Sequence, residues 1–113
     1  YSRAGKIARK ELNNLRKEII KLVPEQFYAK ITEIMTKYLA DKLNCSSAGM
    51  TIPSLQLCLS ERKINDELTT QIIRIWEDAD FVRFAPSKIS SAPPPERIKQ
   101  VTDLITQLEK LFK

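Results

Sequence analysis

The sequence predicts a single all-α domain spanning residues 1–113, a small bundle of about five helices with no sheet. Apolar residues recur at intervals of three and four along every long segment, which is the spacing of one helix face. No segment has the sustained apolar–polar alternation typical of a half-buried strand. The two glycines and most of the six prolines fall between or at the ends of these segments. Short connections of this kind favour helices packed as neighbours in one bundle.

The first helix is predicted at residues 3–23, because its apolar stripe continues to the proline that follows. Ile7, Ile20 and Val23 are expected to widen that stripe. Pro24 interrupts the helix and suits the first turn of the next one. The stripe itself consists of Ala4, Ala8, Leu12, Leu15, Ile19 and Leu22.

The second and third helices are separated by a polar turn. Helix two is predicted at about 24–44, where a broad apolar face leads into the turn NCSSAGM. Thr51 then has the character of an N-cap, and Pro53 fits a first turn. Helix three is therefore predicted at about 52–61, with Leu55, Cys58 and Leu59 among its inward residues.

The last two helices flank a proline-rich linker. Asn65 is the expected N-cap of helix four, predicted at about 66–80 with Trp76 on its buried face. Residues 81–95 are predicted as a linker rich in serine and proline. Helix five is predicted at about 94–112, and residues 96–113, after the linker, are assigned to the C-terminal helix. Its apolar residues are Ile98, Val101, Ile105, Leu108 and Phe112.

The excess positive charge of the chain lies in its first 23 residues. The chain has 19 basic and 14 acidic residues, a net charge of +5. Residues 1–23 hold seven basic residues against Glu11 and Glu18, so the rest of the chain sums to zero. The seven are Arg3, Lys6, Arg9, Lys10, Arg16, Lys17 and Lys21.

Charge at one end of a helical domain is typical of a juxtamembrane segment. Cytoplasmic flanks of transmembrane helices are enriched in Lys and Arg, and each basic residue gains about 1 kcal/mol near an anionic leaflet. The first residue is Tyr1 rather than Met, so we expect a piece of a longer protein. The seven basic residues are thus candidates for contact with an anionic membrane surface.

Enzymatic chemistry has little support in this composition. Histidine, the usual base near neutral pH, does not occur, and no phosphate-binding loop or nucleophile elbow is present. Glu77, Asp78 and Asp80 in EDAD are followed by Phe81 and Val82, where a calcium loop would continue with oxygen ligands. These acids are expected to form a solvated helix end. The chain is predicted to have no catalytic, cofactor or metal site.

The two cysteines are expected to be reduced thiols. Cys45 and Cys58 form no CxxC pair, and without histidine a zinc site is not expected. A chain with an adequate core needs no disulfide, so we expect a reducing compartment. Cys58 falls on an apolar helix face, and Cys45 in an exposed turn.

Nucleic-acid binding by the basic first helix is the alternative function. Helices three and four resemble a helix-turn-helix arrangement, whose second helix would enter the groove of DNA. Residues 65–80 carry five acids against Arg74, so phosphates would repel that helix. We therefore expect no specific nucleic-acid binding.

The stretch DADFVRFAPSK, residues 78–88, places two phenylalanines beside charged residues. Asp80 and Arg83 are three apart and pair if the helix continues by a turn. Pro86 disfavours helix at the residue before it. Phe81 and Phe84 are therefore expected to fold back as a plug over the end of the bundle, rather than to form a docking site.

The same stretch carries a family resemblance. The segments YLADKLN, MTIPSLQLCLSERKINDELTTQI and WEDADFVRFAP resemble the C-terminal cytoplasmic region of the aerotolerance BatD family. The likeness covers roughly residues 27–87. Similar proteins often carry a glycine in the turn SERKIN, where this chain has Lys63. The residues that match are Tyr38, Leu39, Thr51, Leu55, Asp80, Arg83, Phe84, Ala85 and Pro86.

The resemblance implies a helical protein-interaction module with no catalytic residues. Its parent would be a bacterial membrane protein with extracytoplasmic domains, one late transmembrane helix and this domain on the cytoplasmic face of the inner membrane. The implied partners are von Willebrand factor A domain proteins or a MoxR-type ATPase, and the implied process is oxygen or stress tolerance.

Overall fold

The computed structural model describes residues 2–44, 51–84 and 94–111, with the side chains of Arg83, Phe84 and Pro94 excepted. Within these residues the chain is all-α with no strand, as predicted. A 3-10 turn, Ile19–Lys21, follows the first helix. The helices are α1 (Arg3–Glu18), α2 (Pro24–Leu43), α3 (Ile52–Glu61), α4 (Asp66–Phe84) and α5 (Pro94–Leu111).

Helix α2 lies at the centre of the bundle and contacts α1, α4 and α5. Helix α1 also packs on α5, and α3 packs on α4. Ile31, Met35 and Leu39 of α2 are completely or almost completely buried, and Trp76 of α4 is buried as predicted. All five helices contribute to one continuous apolar core, which confirms the periodicity argument.

Polar side chains cap the N-termini of three helices. Two of these caps, Thr51 and Asn65, are the predicted ones. The Thr51 hydroxyl accepts the backbone N–H of Ser54, and the Ser54 hydroxyl accepts that of Thr51 at 2.9 Å. The Asn65 side-chain oxygen accepts the N–H of Leu68 at 2.8 Å. Ser2 caps α1 by accepting the N–H of Gly5. These bonds satisfy N–H groups that have no partner within the helix.

Helix α3 ends in a Schellman motif with Lys63 in the left-handed conformation. Its φ is 59°, a value that glycine adopts without steric cost. The N–H of Lys63 bonds to the carbonyl of Ser60, and the N–H of Ile64 bonds to that of Leu59. Ile64 and Leu59 are both buried, which is the apolar contact that accompanies this motif. The turn therefore requires the left-handed backbone conformation, which favours glycine, at a position where the sequence has Lys63.

The first helix is shorter than the predicted 3–23. Helix α1 ends at Glu18, and the chain tightens into the 3-10 turn before Val23 becomes extended with ψ 159°. The cause is Pro24, which disfavours helical backbone at the preceding residue and has no N–H to continue the ladder. The prediction that Ile7, Ile20 and Val23 widen the buried stripe was wrong, since all three are exposed.

Helix α4 is longer than predicted and extends into the expected linker. It continues beyond residue 80 to Phe84, because Val82 lies on the buried face and is completely buried. Phe81 is 47% exposed, so the prediction that it folds back over the bundle was wrong. The side chains of Arg83 and Phe84, together with Ala85, Pro86 and Phe112, lie outside the described part of the structure.

Cys58 is disulfide-bonded, which contradicts the prediction of reduced thiols. It is half-buried in α3 and packs against the core, as its place on the apolar face predicted. The chain's one other cysteine, Cys45, lies outside the described residues. Composition alone suggests that the core makes a disulfide unnecessary, and it does not reveal whether a cysteine has a partner within bonding distance.

Candidate functional site

The seven basic residues of the N-terminal segment are all exposed. The opposite face of α1 is occupied by Gly5, Ala8, Leu12 and Leu15, which pack into the bundle. Spacings of three, four and seven residues place four of the basic residues on the side directed away from the core. We call these four the basic stripe: Arg3, Lys6, Lys10 and Lys17.

The basic stripe begins where a helix disfavours positive charge. The N-terminus of a helix carries a partial positive charge that favours Asp and Glu, typically by 0.3–1 kcal/mol per residue. Helix α1 has no acidic residue in its first turn and instead starts with Arg3, followed by Lys6. Helix stability therefore does not account for cations at these positions.

The missing negative charge is supplied by Glu109 of α5. Its carboxylate accepts the backbone N–H of Ser2 and the Ser2 hydroxyl, the latter at 3.0 Å. It also accepts the hydroxyl of Tyr38 at 2.9 Å and pairs with Lys42 at 3.0 Å. One carboxylate thus joins the start of α1 to α2 and α5, and we call this set the Glu109 cluster.

The electrostatics of the Glu109 cluster follow from these donors. Burial by itself raises the pKa of the Glu109 carboxyl, and the side chain is only 10% exposed. The hydrogen bonds from Ser2, Lys42 and Tyr38 together outweigh the burial and lower the pKa to about 2. The carboxylate is therefore ionised at neutral pH and is suited to holding helices together rather than to exchanging protons.

A second buried polar group joins α4 and α5. The Arg97 guanidinium is 1% exposed and forms an ion pair with Asp78. It also donates to Gln100 at 2.6 Å and to the Tyr28 hydroxyl at 3.3 Å. The prediction that Asp78 belongs to a solvated helix end was therefore wrong, because α5 brings a buried cation against it. This Arg97 cluster is structural, since the cation has carboxylate and neutral acceptors within the fold.

A shallow groove runs between α1 and α2. Its volume is about 210 Å³, and Glu11, Glu18 and Glu33 line it together with Lys30 and Lys37. The Lys37 ammonium is 3.2 Å from Glu33 and 3.9 Å from Glu11. These carboxylates raise its pKa, the hydrogen bond to Glu33 being the largest cause. Three carboxylates lie beside two ammonium groups here, so the opposite charges offset each other in large part.

The structure describes only part of the family-like motif Asp80, Arg83, Phe84, Ala85 and Pro86. Asp80 is half-buried in α4, and the helix backbone includes Arg83 and Phe84. The proposed pairing of Asp80 with Arg83 and the burial of Phe84 both depend on side chains outside the described set. They stay predictions, as do the positions of Ala85 and Pro86.

Neither a metal-binding cluster nor a membrane-spanning helix is found in residues 2–44, 51–84 and 94–111. No group of three or more Asp, Glu or Cys side chains comes together there in a way that would hold a metal ion. None of the helices in these ranges combines the length and apolar character required to cross a bilayer.

The Glu109 and Arg97 clusters escaped sequence reasoning for a common reason. In the sequence, Glu109 and Arg97 resemble ordinary charged residues of an amphipathic helix. Their burial depends on which residues of other helices face them, at separations of 107 positions for Ser2 and 19 for Asp78. One feature of the sequence could have indicated the burial of Arg97: it precedes Ile98 and falls on the apolar face of α5.

Comparison with known proteins finds no matching family model, no significantly similar curated protein and no significantly similar solved structure. The likeness to the BatD family therefore has only the sequence segments quoted above as its basis. What the chain establishes by itself is a small all-α bundle with a basic stripe on its first helix.

Proposed function

We propose that this chain is a non-enzymatic interaction module that lies against an anionic membrane surface through the basic stripe of α1. In this proposal it is the cytoplasmic helical domain of a BatD-like bacterial membrane protein. Its contribution to oxygen or stress tolerance is to bind other proteins at the membrane. Von Willebrand factor A domain proteins or a MoxR-type ATPase are the partners that the resemblance implies.

The observation that carries the proposal is the use of the two faces of α1. Ala8, Leu12 and Leu15 of its apolar face are buried in the core, so α1 does not act as a free amphipathic helix that buries itself in lipid. The cationic face stays exposed and begins with Arg3 and Lys6, where the helix dipole disfavours them. Attraction to an anionic membrane surface would account for these exposed cations, which helix stability does not explain.

Vesicle co-sedimentation tests the membrane contact. The protein is expected to bind vesicles of phosphatidylcholine with phosphatidylglycerol more strongly than pure phosphatidylcholine vesicles, and salt is expected to weaken the binding. Changing Lys6, Lys10 and Lys17 to Gln should abolish most of the difference between the two lipids.

A control variant separates the position of the charge from its amount. Arg74, Lys99 and Lys110 are exposed on α4 and α5, and changing them to Gln lowers the net charge by the same three units. This variant should bind anionic vesicles as the unmodified protein does. Equal losses in both variants would mean that only net charge matters and would contradict the proposal. Tight, sequence-dependent binding to DNA or RNA at physiological salt would favour the alternative function instead.

The cytoplasmic placement has a separate test, because disulfides persist mainly in oxidising compartments. The disulfide of Cys58 is the observation against a cytoplasmic location. Alkylating thiols rapidly in intact cells and measuring the mass of the chain distinguishes the two compartments. Alkylation of both cysteines fits the cytoplasm, whereas a fully protected pair would place the domain on the other side of the membrane.

Partner binding is tested by reconstitution with purified von Willebrand factor A domain protein or MoxR-type ATPase from the same genome. Titration calorimetry should detect binding by the folded domain and by the Lys-to-Gln variant of the basic stripe alike, because the stripe is assigned to lipid. Binding of neither candidate would remove these two classes from the proposal.

A further inference from the structure

The corner between α1 and α2 exposes apolar side chains in a region of positive charge. Ile20 is 97% exposed and Val23 is 55% exposed, the first being the most exposed large apolar residue in the described structure. Residues 16–23 contain Arg16, Lys17 and Lys21 against one acid, Glu18. A nearly fully exposed isoleucine beside lysines calls for a physical explanation.

The chain changes conformation at this corner, and the change directs two apolar side chains outward. Ile20 lies in the 3-10 turn Ile19–Lys21, and Val23 follows it in extended conformation. Ile19 and Leu22 pack against the core, whereas Ile20 and Val23 are directed to solvent. A bond from the Leu22 N–H to the Ile19 carbonyl at 3.2 Å closes the turn. The outward pair is thus held on an anchored corner.

We propose that Ile20 and Val23 are an insertion tip that enters the interfacial region of an anionic bilayer while Lys17 and Lys21 contact lipid phosphates. This inference rests on the proposed membrane contact of the basic stripe and names the part of the protein that penetrates the lipid. Apolar side chains and neighbouring lysines together match the layered structure of that interface, in which acyl chains lie beneath charged headgroups.

Charge and size both favour lipid over a second copy of the chain. A stable protein interface buries roughly 800 Å² on each partner, far more than two side chains offer. Two copies meeting at this corner would also bring their lysines together, and like charges disfavour such an encounter. An anionic membrane attracts Lys17 and Lys21 through its headgroups and offers Ile20 an apolar environment in its acyl chains.

Tryptophan fluorescence tests the insertion directly. The only tryptophan, Trp76, is first replaced by Phe, and a reporter is then introduced as Ile20→Trp. Its emission should shift to the blue on adding anionic vesicles, and brominated lipids should quench it. The matched control is Leu57→Trp in the same background, since Leu57 is 62% exposed on α3 and away from the basic stripe. Its emission should not change.

A second measurement avoids changing Trp76. Replacing both Ile20 and Val23 by Ser should weaken partitioning onto anionic vesicles about tenfold, because apolar transfer contributes to interfacial binding. Leu57→Ser should bind as the unmodified protein does. Urea unfolding of each variant confirms that the bundle is intact, which is expected because the two residues are exposed.

The outcomes distinguish this inference from the function on which it rests. If the unmodified protein fails to bind anionic vesicles, both are overturned. If it binds in a lysine-dependent manner while the Ser variant binds equally well and the Ile20 reporter does not shift, the insertion tip alone is overturned. If the Ser changes instead abolish self-association seen in analytical ultracentrifugation, the corner is a dimer contact and the lipid assignment fails.

Discussion

At the scale of single residues, two charges that are largely removed from solvent, Glu109 and Arg97, link helices that the apolar core packs together. Glu109 accepts hydrogen bonds from residues at the start of α1 and in α2, and Arg97 pairs with Asp78 of α4. Buried charges stabilise a fold only when their partners remain in place, because an unpaired charge in the interior is costly. Both clusters therefore make specific predictions.

The Glu109 cluster predicts a loss of stability in acid. Its folded pKa of about 2 lies below the ordinary value of 4.5, so the ionised form stabilises the fold at pH values above 4.5. This contribution, roughly 3 kcal/mol at most, is lost progressively as the pH falls from about 5 to 2. Urea unfolding measured across that range should show the decline.

Glu109→Gln provides the check on this assignment. The variant should be less stable at pH 7 and should lose most of the decline between pH 5 and 2. Glu96→Gln changes an exposed carboxylate on the same helix and should alter stability by less than about 0.5 kcal/mol. An unchanged acid profile in Glu109→Gln would mean that another group causes it.

The Arg97 cluster predicts strong dependence between its two charged members. Asp78→Ala should cost about 3–5 kcal/mol, because it removes the carboxylate from a cation that is 1% exposed. Combining Asp78→Leu with Arg97→Met should recover much of that loss, since the pair is then replaced by apolar groups. Denaturant unfolding of the single and double variants measures the coupling.

Glu77→Ala is the control for that experiment. Glu77 is exposed and adjacent to Asp78, so its removal should change the stability by less than about 0.5 kcal/mol. A small loss in Asp78→Ala, comparable with that of the control, would show that Arg97 is satisfied without its carboxylate.

At the scale of the secondary-structure elements, helix ends carry the differences between prediction and structure. The caps at Thr51 and Asn65 were predictable, because their side chains act on residues three positions away. The early end of α1 was predictable in principle from Pro24, but apolar periodicity concealed it. The extension of α4 through Val82 was not, because burial there depends on the helices that pack against it.

The end of α3 gives a prediction of higher stability. Lys63 adopts a φ of 59°, where a side chain crowds the backbone, so Lys63→Gly should stabilise the protein by about 1 kcal/mol. Thermal or urea unfolding measures the change. Lys63→Ala removes the charge but keeps the Cβ atom, and it should give no comparable gain.

A neighbouring substitution tests the direction of the effect. Arg62 has a φ of −87°, so Arg62→Gly relieves no strain and should destabilise by about 0.5–1 kcal/mol. Equal effects of glycine at both positions would contradict the role assigned to Lys63.

At the scale of the whole molecule, hydrophobic periodicity predicted the fold class and most of the core. The radius of gyration is 13.4 Å, close to the roughly 13 Å expected for a compact domain of this length. The basic stripe was also predictable, because exposed charge follows from its position opposite the apolar face. Contacts between distant polar residues were not, since the sequence does not state how neighbouring helices are rotated and offset.

The disulfide at Cys58 predicts that the bundle is more stable under oxidising conditions. A disulfide typically stabilises a protein by about 2–4 kcal/mol, mainly through the entropy of the unfolded chain. Adding a reductant should therefore lower the urea midpoint, and alkylation followed by mass spectrometry should confirm that the Cys58 thiol was released. An unchanged midpoint after complete reduction would mean that the core alone determines stability, as its composition had suggested.

The bonds between Ser2 and Glu109 also affect how the bundle would respond to a force applied at its N-terminus. A pull on the backbone at Ser2 would load the hydrogen bonds that join this residue to the Glu109 carboxylate of α5. The load is shared with Tyr38 and Lys42 of α2, which hold the same carboxylate. Force applied at Ser2 would thus be shared among α1, α2 and α5 instead of acting on α1 alone.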